Sequence, residues 1–461
     1  MDLEGERRGE QMHLAAFFSA GPVSGHHGGW RHPDADLDLL SAGYYQRVGR
    51  VLEEGRFDLV FCADILAVPD RFGGSHDTQL RHGALGSLRL DPLLVLTAIA
   101  SATSHLGLGC TMSTTYFDPY PVARAFATLD HLSAGRAAWN VVTSFQDAEA
   151  RNFGVDQHIP RERRYDRADE FLEVTCKLWD SWEDGALVLD RETPVFADPG
   201  RVTPIDHAGE WFSVRGPLNV SRPPQGHPVI IQAGASDRGR EFAARWADVI
   251  FTTPPSVESA AEFCGDVKAR AAAYGRDPRD VKILPGIVPI VGETAAIASE
   301  KQRVLTELAH PESGLSTLSY HLGTDLSQFP LDEPLPAVDV PGVLGHYREV
   351  AEVTAQEGLT LRELGRRYGT GPNSAFIGSA TQVAQTMEDW FARGACDGFM
   401  IQGTHAPGGF EDVVRLVVPE LQRRGRFRTD YPGPTLRDSL GIPRPEVGAW
   451  ASRRRNGSSP G

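Results

Sequence analysis

Short apolar runs alternate with longer amphipathic stretches along most of the chain, and this alternation limits the possible folds more than any other feature of the sequence. The pattern is typical of parallel β-strands joined by crossover helices. Because the runs are apolar almost throughout, we expect strands that are covered on both faces. The predicted strands are residues 12–18, 58–63, 106–112, 137–143, 228–233, 248–252, 282–291 and 397–402.

Eight strand–helix units favour a closed (β/α)8 barrel, the TIM barrel of α/β proteins, over an open doubly wound sheet. Asp91-Pro92 and Tyr120-Pro121 mark two helix starts, and Ser379 with Gly394 brackets a further helix. The sequence therefore predicts a single barrel domain over residues 12–445, with flexible tails at residues 1–11 and 446–461.

Two stretches interrupt the repeat. Residues 184–227 are rich in proline, glycine and short alternating runs, which predicts a small β-rich insertion before the fifth strand. Residues 295–373 contain helical pieces, but several prolines in 326–343 forbid a continuous helix there. Since catalytic loops of barrels follow the strands, we expect this second insertion to be a lid or a substrate-specificity region.

Charge and apolar patterning exclude several partner classes. The chain has 46 Lys and Arg against 61 Asp and Glu, a net charge of −15, and no basic stripe, so nucleic acid is not an expected partner. The longest apolar runs are far shorter than the ~20 residues that span a bilayer, and the first ten residues lack a secretory signal pattern. Five scattered cysteines without a C-x-x-C pair indicate reduced core residues. We expect a cytoplasmic protein that binds no membrane.

Several common enzyme signatures are missing. No G-x-G-x-x-G follows the first strand, and neither a Walker A sequence nor a G-x-S-x-G elbow occurs, which disfavours Rossmann dehydrogenases, P-loop enzymes and α/β-hydrolases. His26, His27 and His32 cluster in a glycine-rich loop but have no carboxylate at ligand spacing. We therefore predict that they line a pocket and that the protein holds no metal.

Polar residues come directly after predicted strands, where barrel active sites form. Asp64 ends the second strand, Thr111 and Ser113 the third, and Asn140 lies near the end of the fourth. Each one alone could be a strand-end cap or an Asx turn. Together they predict a polar floor between apolar walls, which is the usual composition of a cofactor pocket.

The turn QAGASDRGR, residues 232–240, leads from the fifth strand into a helix. It would expose backbone N–H groups at a helix N-terminus, where the helix dipole also favours a phosphate, and Ser236 would donate its hydroxyl. An N-cap without a ligand explains the same residues equally well. If a flavin is bound, a monophosphate suits this single helix end better than a dinucleotide.

Long segments of the chain resemble a known family. They are GCTMSTTYF (109–117), ARAFATLDHLSAGRAAWNVVTS (123–144), ARNFG (150–154), RYDRADEFLEV (164–174), LWDSWED (178–184), QAGAS (232–236) and residues 418–445. These motifs are similar to the nitrilotriacetate monooxygenase component A and dibenzothiophene-sulfone monooxygenase group of bacterial luciferase-like, FMN-dependent monooxygenases.

The resemblance implies a set of flavin-binding residues. FMN would be bound by Asp64, Thr111, Tyr165 and Ser236, with Asn140 close by. The residue four before the tyrosine is commonly histidine in this group, whereas here it is Arg161. An arginine can meet a phosphate, even in bidentate fashion, but it cannot be a neutral acceptor.

The resemblance also implies an activity: a two-component monooxygenase that takes reduced FMN (FMNH2) and O2 and, by way of a peroxyflavin, inserts one oxygen atom into a small organic substrate. A separate NAD(P)H:flavin reductase would supply the FMNH2, since the chain has no nicotinamide-binding motif. Assembly into a homo-oligomer is expected of the group. No catalytic base and no particular substrate can be chosen from the sequence, although His26, Trp30, residues 70–82 and His405 are expected near the mouth.

Three alternatives remain open at this stage. A barrel oxidoreductase of the same superfamily could use a deazaflavin for hydride transfer and would consume no O2. A flavin-binding or carrier protein would show no turnover. A metal-dependent barrel hydrolase would contain stoichiometric zinc and would not need the predicted flavin residues.

Overall fold

Eight parallel strands close into a barrel in chain order. The computed structural model describes residues 10–22, 25–336, 357–370 and 374–453, without the side chains of Arg161, Glu162 and Ser374. The barrel strands are β1 (His13–Ser19), β2 (Leu59–Ala63), β3 (Gly107–Ser113), β4 (Ala137–Val142), β5 (Val229–Gln232), β6 (Val249–Thr252), β7 (Lys282–Ile287) and β8 (Gly398–Gln402). The predicted (β/α)8 barrel is confirmed, and every predicted strand contributes to it.

A helix packs outside the barrel after each strand. In chain order these are Ala42–Glu54, Pro92–Ala100, Pro119–Leu132, Arg161–Trp179, Asp237–Trp246, Val257–Ala273 and Ala380–Ala392, followed by Gly408–Asp412, the π-helical turn Val413–Val417 and Val418–Arg423. Shorter helices, Asp77–His82, Asp147–Asn152 and Leu436–Leu440, lie in the connections.

The predicted helix starts follow local capping chemistry. Asp91 Oδ1 accepts the N–H of Leu93 at 2.9 Å, and Ser379 caps its helix in a reciprocal capping box with Gln382. The helix expected to start at Tyr120-Pro121 starts at Pro119 instead. Proline is well suited to the first helical position because its missing N–H would have no partner there.

The predicted strand 282–291 is in fact two strands. After β7, the chain leaves the barrel, and Ile290–Gly292 pairs in parallel with Ile377–Ser379 in a separate two-stranded sheet. The break falls at Pro289, which has no N–H to continue the barrel ladder. A continuous apolar run in the sequence therefore contains two strands that belong to different sheets.

The barrel interior is filled by small and branched side chains and is closed at the amino ends of the strands. Leu436, Leu440 and Ile442 of the C-terminal segment pack against interior residues such as Leu59 and Val229. A Cβ added at Gly107, the first residue of β3, would lie 2.6 Å from Leu436 Cδ1. Because the C-terminal segment closes the barrel at the amino ends of the strands, the mouth, at the carboxyl ends, is where a ligand can enter.

The two predicted insertions lie at opposite ends of the barrel. Residues 184–227 precede β5 and contain two small antiparallel sheets, Leu187–Asp190 with Val195–Ala197 and His207–Ala208 with Ser213–Val214. The described residues of the second insertion, 295–336 and 357–370, follow β7 and therefore extend from the mouth. Their described elements are Ala295–Leu308, Pro311–Leu322, the 3-10 turn Leu326–Gln328 and Leu361–Thr370, whereas residues 337–356 and 371–373 lie outside the described residues.

Residues 446–453, the described part of the predicted C-terminal tail, contact the barrel. The N–H of Gly448 donates to Asp180 Oδ2 at 2.9 Å, and Arg453 Nη1 donates to the carbonyl of Trp246 at 3.3 Å. Among the described residues, no helix has the length and apolar character needed to cross a bilayer.

Candidate active site

Thr111 and Asn140 form a buried hydrogen-bonded pair across neighbouring strands of the barrel. Thr111 on β3 pairs with Asn140 on β4, and two positions earlier Gly109 pairs with Ala138, which packs in the barrel interior. Because residues two apart on a strand share a face, Thr111 and Asn140 also face the interior. Thr111 Oγ1 donates to the Cys62 carbonyl at 2.8 Å and accepts from Asn140 Nδ2 at 3.0 Å. This bond orients the Asn140 amide and uses its Nδ2, so that Oδ1 is the amide atom available for a further hydrogen bond.

Asn140 Oδ1 is buried and has no hydrogen-bond partner. An unpaired buried acceptor costs about 1–3 kcal/mol, so native proteins rarely keep one without a reason. A ligand N–H placed over the mouth would pair with this oxygen. The family resemblance implies that Asn140 lies close to a flavin, and the structure shows that its Oδ1 is the atom free to accept a hydrogen bond.

Asp64 follows β2 at the same end of the barrel. Its Oδ1 accepts the N–H of Ile65 at 2.9 Å, and burial raises the pKa of the carboxyl to about 6, although the positive charge of Arg89 acts in the opposite direction. Glu149 lies close enough to raise it further, and burial also raises the pKa of Glu149. Asp64 can therefore take up or release a proton near neutral pH.

The turn after β5 leads into a helix N-terminus that Ser236 caps. Gln232 Oε1 accepts the N–H of Gly234 at 2.7 Å and folds the turn. Ser236 is the N-cap of the helix Asp237–Trp246, and its Oγ accepts the N–H of Gly239 at 3.1 Å. Since that bond uses a lone pair of the oxygen, the hydroxyl hydrogen can be donated to a ligand.

Tyr165 lies directly over this turn. A Cβ added at Gly234 would be 2.8 Å from the Tyr165 hydroxyl oxygen, and one at Gly239 would be 2.9 Å from it. Glycine at both positions is what allows the phenol to approach the backbone. The tyrosine ring is held by Phe242, at 5.4 Å between centroids, so the structure brings the predicted residues Tyr165 and Ser236 together.

Arg161 is the first residue of the helix Arg161–Trp179, which also carries Tyr165. Its side chain lies outside the described residues, so contact with a phosphate stays a prediction.

Three aromatic rings that the sequence analysis did not single out line the mouth. Phe17 lies 5.2 Å from Phe61 and 5.3 Å from Phe251, measured between ring centroids. A Cβ at Gly286 would come 2.6 Å from Phe251 Cε2, so the ring packs over bare backbone. The available signal was an aromatic residue near the end of each of three predicted strands, which by itself also fits an ordinary core.

His26 and His27 are buried and His405 is half-buried, and burial keeps these three histidines neutral. Burial lowers the pKa of His26 to about 3 and the pKa values of His27 and His405 to about 4. His26 Nδ1 accepts the N–H of Gly28 at 3.0 Å, and His405 stacks on His32 at 3.9 Å. His26, His27 and His405 support the loops after β1 and β8, and as neutral groups these three add no charge there.

Within the described ranges, three potential metal ligands come within 4.8 Å of one another at His82, His310 and Glu312, and not at the cluster of His26, His27 and His32. The rings of His82 and His310 are stacked in parallel, 4.0 Å apart with 9° between their planes. In-plane nitrogen lone pairs of stacked rings run side by side and do not converge on one ion. This arrangement gives no support to a hydrolytic metal centre.

Taken together, the mouth offers an unpaired amide oxygen, a proton-exchanging carboxyl, apolar rings and a helix N-terminus beneath a phenol. This donor and acceptor set is compatible with a flavin monophosphate: the helix N-terminus at Ser236 could hold a phosphate, and Asp64, Thr111 and Asn140 could contact a ring system. The fold and these side chains define the protein as an α/β barrel whose mouth could hold a cofactor.

Comparison with known proteins identifies the family. The family model described as luciferase-like monooxygenase matches residues 23–397. The chain is 51% identical to the dibenzothiophene-sulfone monooxygenase of Rhodococcus erythropolis (strain XP) over 448 residues, 95% of this chain and 98% of that protein. It is 45% identical to nitrilotriacetate monooxygenase component A of Aminobacter aminovorans, again over 448 residues, 95% and 98% of the two chains.

A solved structure of riboflavin lyase with modified FMN and riboflavin is similar with a TM-score of 0.85 and 32% identity, covering 96% of this chain and 100% of that one. The chain belongs to the luciferase-like monooxygenase family. The resemblance seen in the sequence is therefore confirmed, and the protein is a flavin-dependent monooxygenase.

Proposed function

We propose that the protein is the oxygenase component of a two-component system that binds reduced FMN at the barrel mouth and transfers one atom of O2 to a small organic substrate. The observation that carries this proposal is the pairing of an orphaned buried acceptor, Asn140 Oδ1, with a helix N-terminus capped by Ser236 across the same mouth. The relative solved with modified FMN supports the choice of FMN.

The residues present have distinct tasks in binding. Ser236 and the first N–H groups of its helix hold the phosphate, because unpaired N–H groups and the helix dipole both favour an anion there. Tyr165 donates its hydroxyl at the same place. Asn140 Oδ1 accepts a ring N–H, and Thr111 keeps that amide oriented.

Bound reduced FMN supplies the two electrons with which O2 gives one oxygen atom to the substrate and one to water. The protein's part is to orient the substrate and exclude water from the mouth. Phe17, Phe61 and Phe251 provide apolar surface for this purpose. Asp64, with its pKa of about 6, is placed to hold or accept a proton.

The second insertion is proposed as the lid of this site. Its helix Pro311–Leu322 reaches the loop after β4, where Gln146 Nε2 donates to the Tyr320 carbonyl at 2.5 Å and the rings of Phe145 and Tyr320 lie 5.4 Å apart. These contacts cover the side of the mouth next to Asn140.

Calorimetric titration with FMN, and with anaerobically reduced FMN, tests the binding step. We expect saturable binding, and Ser236→Ala should weaken it about tenfold, since a hydrogen bond to a charged group contributes about 1.5–3 kcal/mol. Ser379→Ala is the matched control: it also removes a serine N-cap, but from the helix that follows the separate two-stranded sheet and not from the turn after β5, so FMN affinity should not change. No saturable binding of either form to the wild-type protein would refute the proposal.

Turnover is tested by supplying NADH, FMN and a flavin reductase while screening compounds for a mass gain of one oxygen atom. Oxygen uptake coupled to such a product supports the oxygenase. Hydride transfer to or from a deazaflavin without O2 uptake would favour the alternative oxidoreductase. The reductase as partner, the cytoplasmic location and the homo-oligomeric state stay predictions.

A further inference from the structure

Arg89 is a half-buried cation at the mouth that makes no ion pair with a described carboxylate, although Asp64 lies near enough for the two charges to interact. It lies in the loop between β2 and the helix Pro92–Ala100. Its Nε and Nη1 atoms are buried without a hydrogen-bond partner, and no carboxylate of the described residues lies within 4.0 Å of its guanidinium. Burial lowers the pKa of Arg89, yet a guanidinium keeps its proton in proteins.

The position of Arg89 is fixed by contacts with the loop after β1. The N–H of its neighbour Leu90 donates to the Ala20 carbonyl at 2.8 Å, and a Cβ on Gly21 would lie 4.0 Å from Arg89 Cδ. Its charge lowers the pKa of Asp64 and acts on Tyr320 of the proposed lid. Arg89 therefore lies between the end of β2 and the lid, and its side chain is only partly buried as a whole.

The flavin phosphate cannot be the missing partner. In the closed barrel, β5 lies four strands away from β1, so the Ser236 turn is on the opposite side of the mouth from Arg89. A second anion is needed on the β1–β2 side. Since a buried unpaired N–H of a charged group is costly, its retention is explained by a ligand that completes it.

We propose that Arg89 binds an oxyanion of the organic substrate, a carboxylate or sulfonate, and so selects anionic substrates. The planar guanidinium presents donors in a fork that matches two oxygens of such a group. This inference rests on the proposed function, because it assigns the substrate class of the same site. No part of it requires a change in how FMN is held.

Matched pairs of small probes test the inference. Benzoate with benzamide, and benzenesulfonate with benzenesulfonamide, differ in charge but hardly in size. Each is titrated into the FMN-loaded full-length protein by calorimetry. We expect the wild type to prefer the anion of at least one pair by about tenfold, as a charge-assisted bidentate contact implies. Arg89→Met should abolish the preference, and Arg89→Lys should keep part of it.

The control is Arg71→Met, which removes the same charge from an exposed position of the same loop and should keep the wild-type preference. Thermal unfolding is recorded for every variant. Arg89→Met should be no less stable than wild type, since it relieves an unpaired buried charge. If Arg89→Met fails to fold, Arg89→Lys tests the proposal instead. Lysine keeps the charge but lacks the planar guanidinium, so the preference for the anionic probe should be reduced.

Three results would overturn the inference. The first is that the wild type shows no anion preference with either pair, and the second is that Arg89→Met shows the same preference as the wild type. The third is that Arg89→Met loses affinity for reduced FMN while the probe preference is intact, which would assign Arg89 to the flavin. FMN is titrated separately, into the apoprotein. If the wild type binds no FMN, the proposed function fails, while probe titration of the apoprotein still decides the role of Arg89.

Discussion

Single groups at the mouth carry hydrogen-bonding capacity that the fold itself does not use. Asn140 Oδ1 is orphaned, and the Ser236 hydroxyl keeps a hydrogen to donate after capping its helix. The Tyr165 hydroxyl lies over the turn at Ser236 only because Gly234 and Gly239 have no side chains. We therefore expect binding at the proposed flavin site to be sensitive to single atoms at these positions.

Gly239→Ala should damage the anion site through one methyl group. The new Cβ would lie 2.9 Å from the Tyr165 hydroxyl and 3.0 Å from Gly234 Cα, so the tyrosine or the turn must move. We expect overpacking to cost about 1–3 kcal/mol of unfolding free energy. FMN titration should show at least a tenfold loss of affinity, equivalent to one charge-assisted hydrogen bond.

Gly265→Ala is the corresponding control in the helix Val257–Ala273, where no atom lies within 4 Å of the added Cβ. Alanine in an open helical position should raise stability by about 0.5–1 kcal/mol, with FMN affinity unchanged. If both substitutions left FMN binding unchanged, the steric argument for the turn would be wrong.

The helices of the second insertion form an element that docks on the barrel through backbone contacts. The helices Pro311–Leu322 and Leu361–Thr370 approach so closely that a Cβ on Gly314 would lie 1.9 Å from the Gly365 carbonyl oxygen. The N–H of His27, in the loop after β1, donates to the Gly369 carbonyl at 2.8 Å. Buried histidines thus lie beneath the element that we propose as the lid.

Acid should loosen this element. Burial lowers the pKa of His26 from its ordinary 6.5 to about 3, so between these values a proton binds only to the unfolded chain. The stability from neutral His26 is complete above pH 6.5 and is lost as pH falls, by about 1.4 kcal/mol per pH unit. Urea unfolding from pH 7.5 to 4.5 should therefore show a shallower pH dependence in His26→Asn, which can still accept the Gly28 N–H.

His76→Asn is the matched control, because His76 is exposed and should be solvated in both states. Its pH dependence should match that of the wild type. An unchanged slope in His26→Asn would show that the buried histidine is not responsible for the acid lability.

At the scale of the whole molecule, the two ends of the barrel have separate tasks. Asp58 is fully buried at the amino end and accepts from Leu14 N at 2.8 Å, His13 Nδ1 at 3.0 Å and Arg428 Nη2 at 2.6 Å. Arg428 holds its carboxylate, and with His13 it keeps the pKa of Asp58 below its ordinary value despite burial. The first barrel strand is thereby tied to the C-terminal segment.

Leu440→Ala should destabilise the fold without affecting the site. Leu440 is fully buried in the plug below the barrel, and such a truncation costs about 2–5 kcal/mol. Exposed Leu94, truncated in the same way, should cost little. Chemical denaturation measures the stability, and FMN titration should give the wild-type affinity for both variants, provided that each is folded. A large loss of FMN affinity in Leu440→Ala would contradict the separation of the two ends.

Much of the fold could be predicted from local patterns. All eight strands and the helix starts at Asp91-Pro92 and Ser379 follow from apolar runs and caps, since these depend on neighbouring residues along the chain. The sheet change at Pro289 was missed because an apolar run does not show which sheet a strand joins. Asp64, Thr111, Asn140 and Ser236 were predicted from their positions after strands, the family resemblance added Tyr165, and their part in flavin binding stays a prediction.

Arg89 could not have been found in this way. In the sequence it is one polar residue in a polar loop, and an arginine there usually lies in solvent. Only the closed barrel places it against β2 and the insertion and leaves its N–H groups without partners. The same holds for Asn140, whose orphaned oxygen results from a bond made across two strands.

The sequence by itself determined the order of strands and helices and the kinds of residue at the mouth, because hydrophobic period and capping act over a few neighbouring positions. The tertiary structure decided which polar atoms remain unpaired and which carboxyl exchanges a proton near pH 6. Burial and hydrogen-bond pairing depend on segments that are distant along the chain, and these segments meet only when the barrel closes.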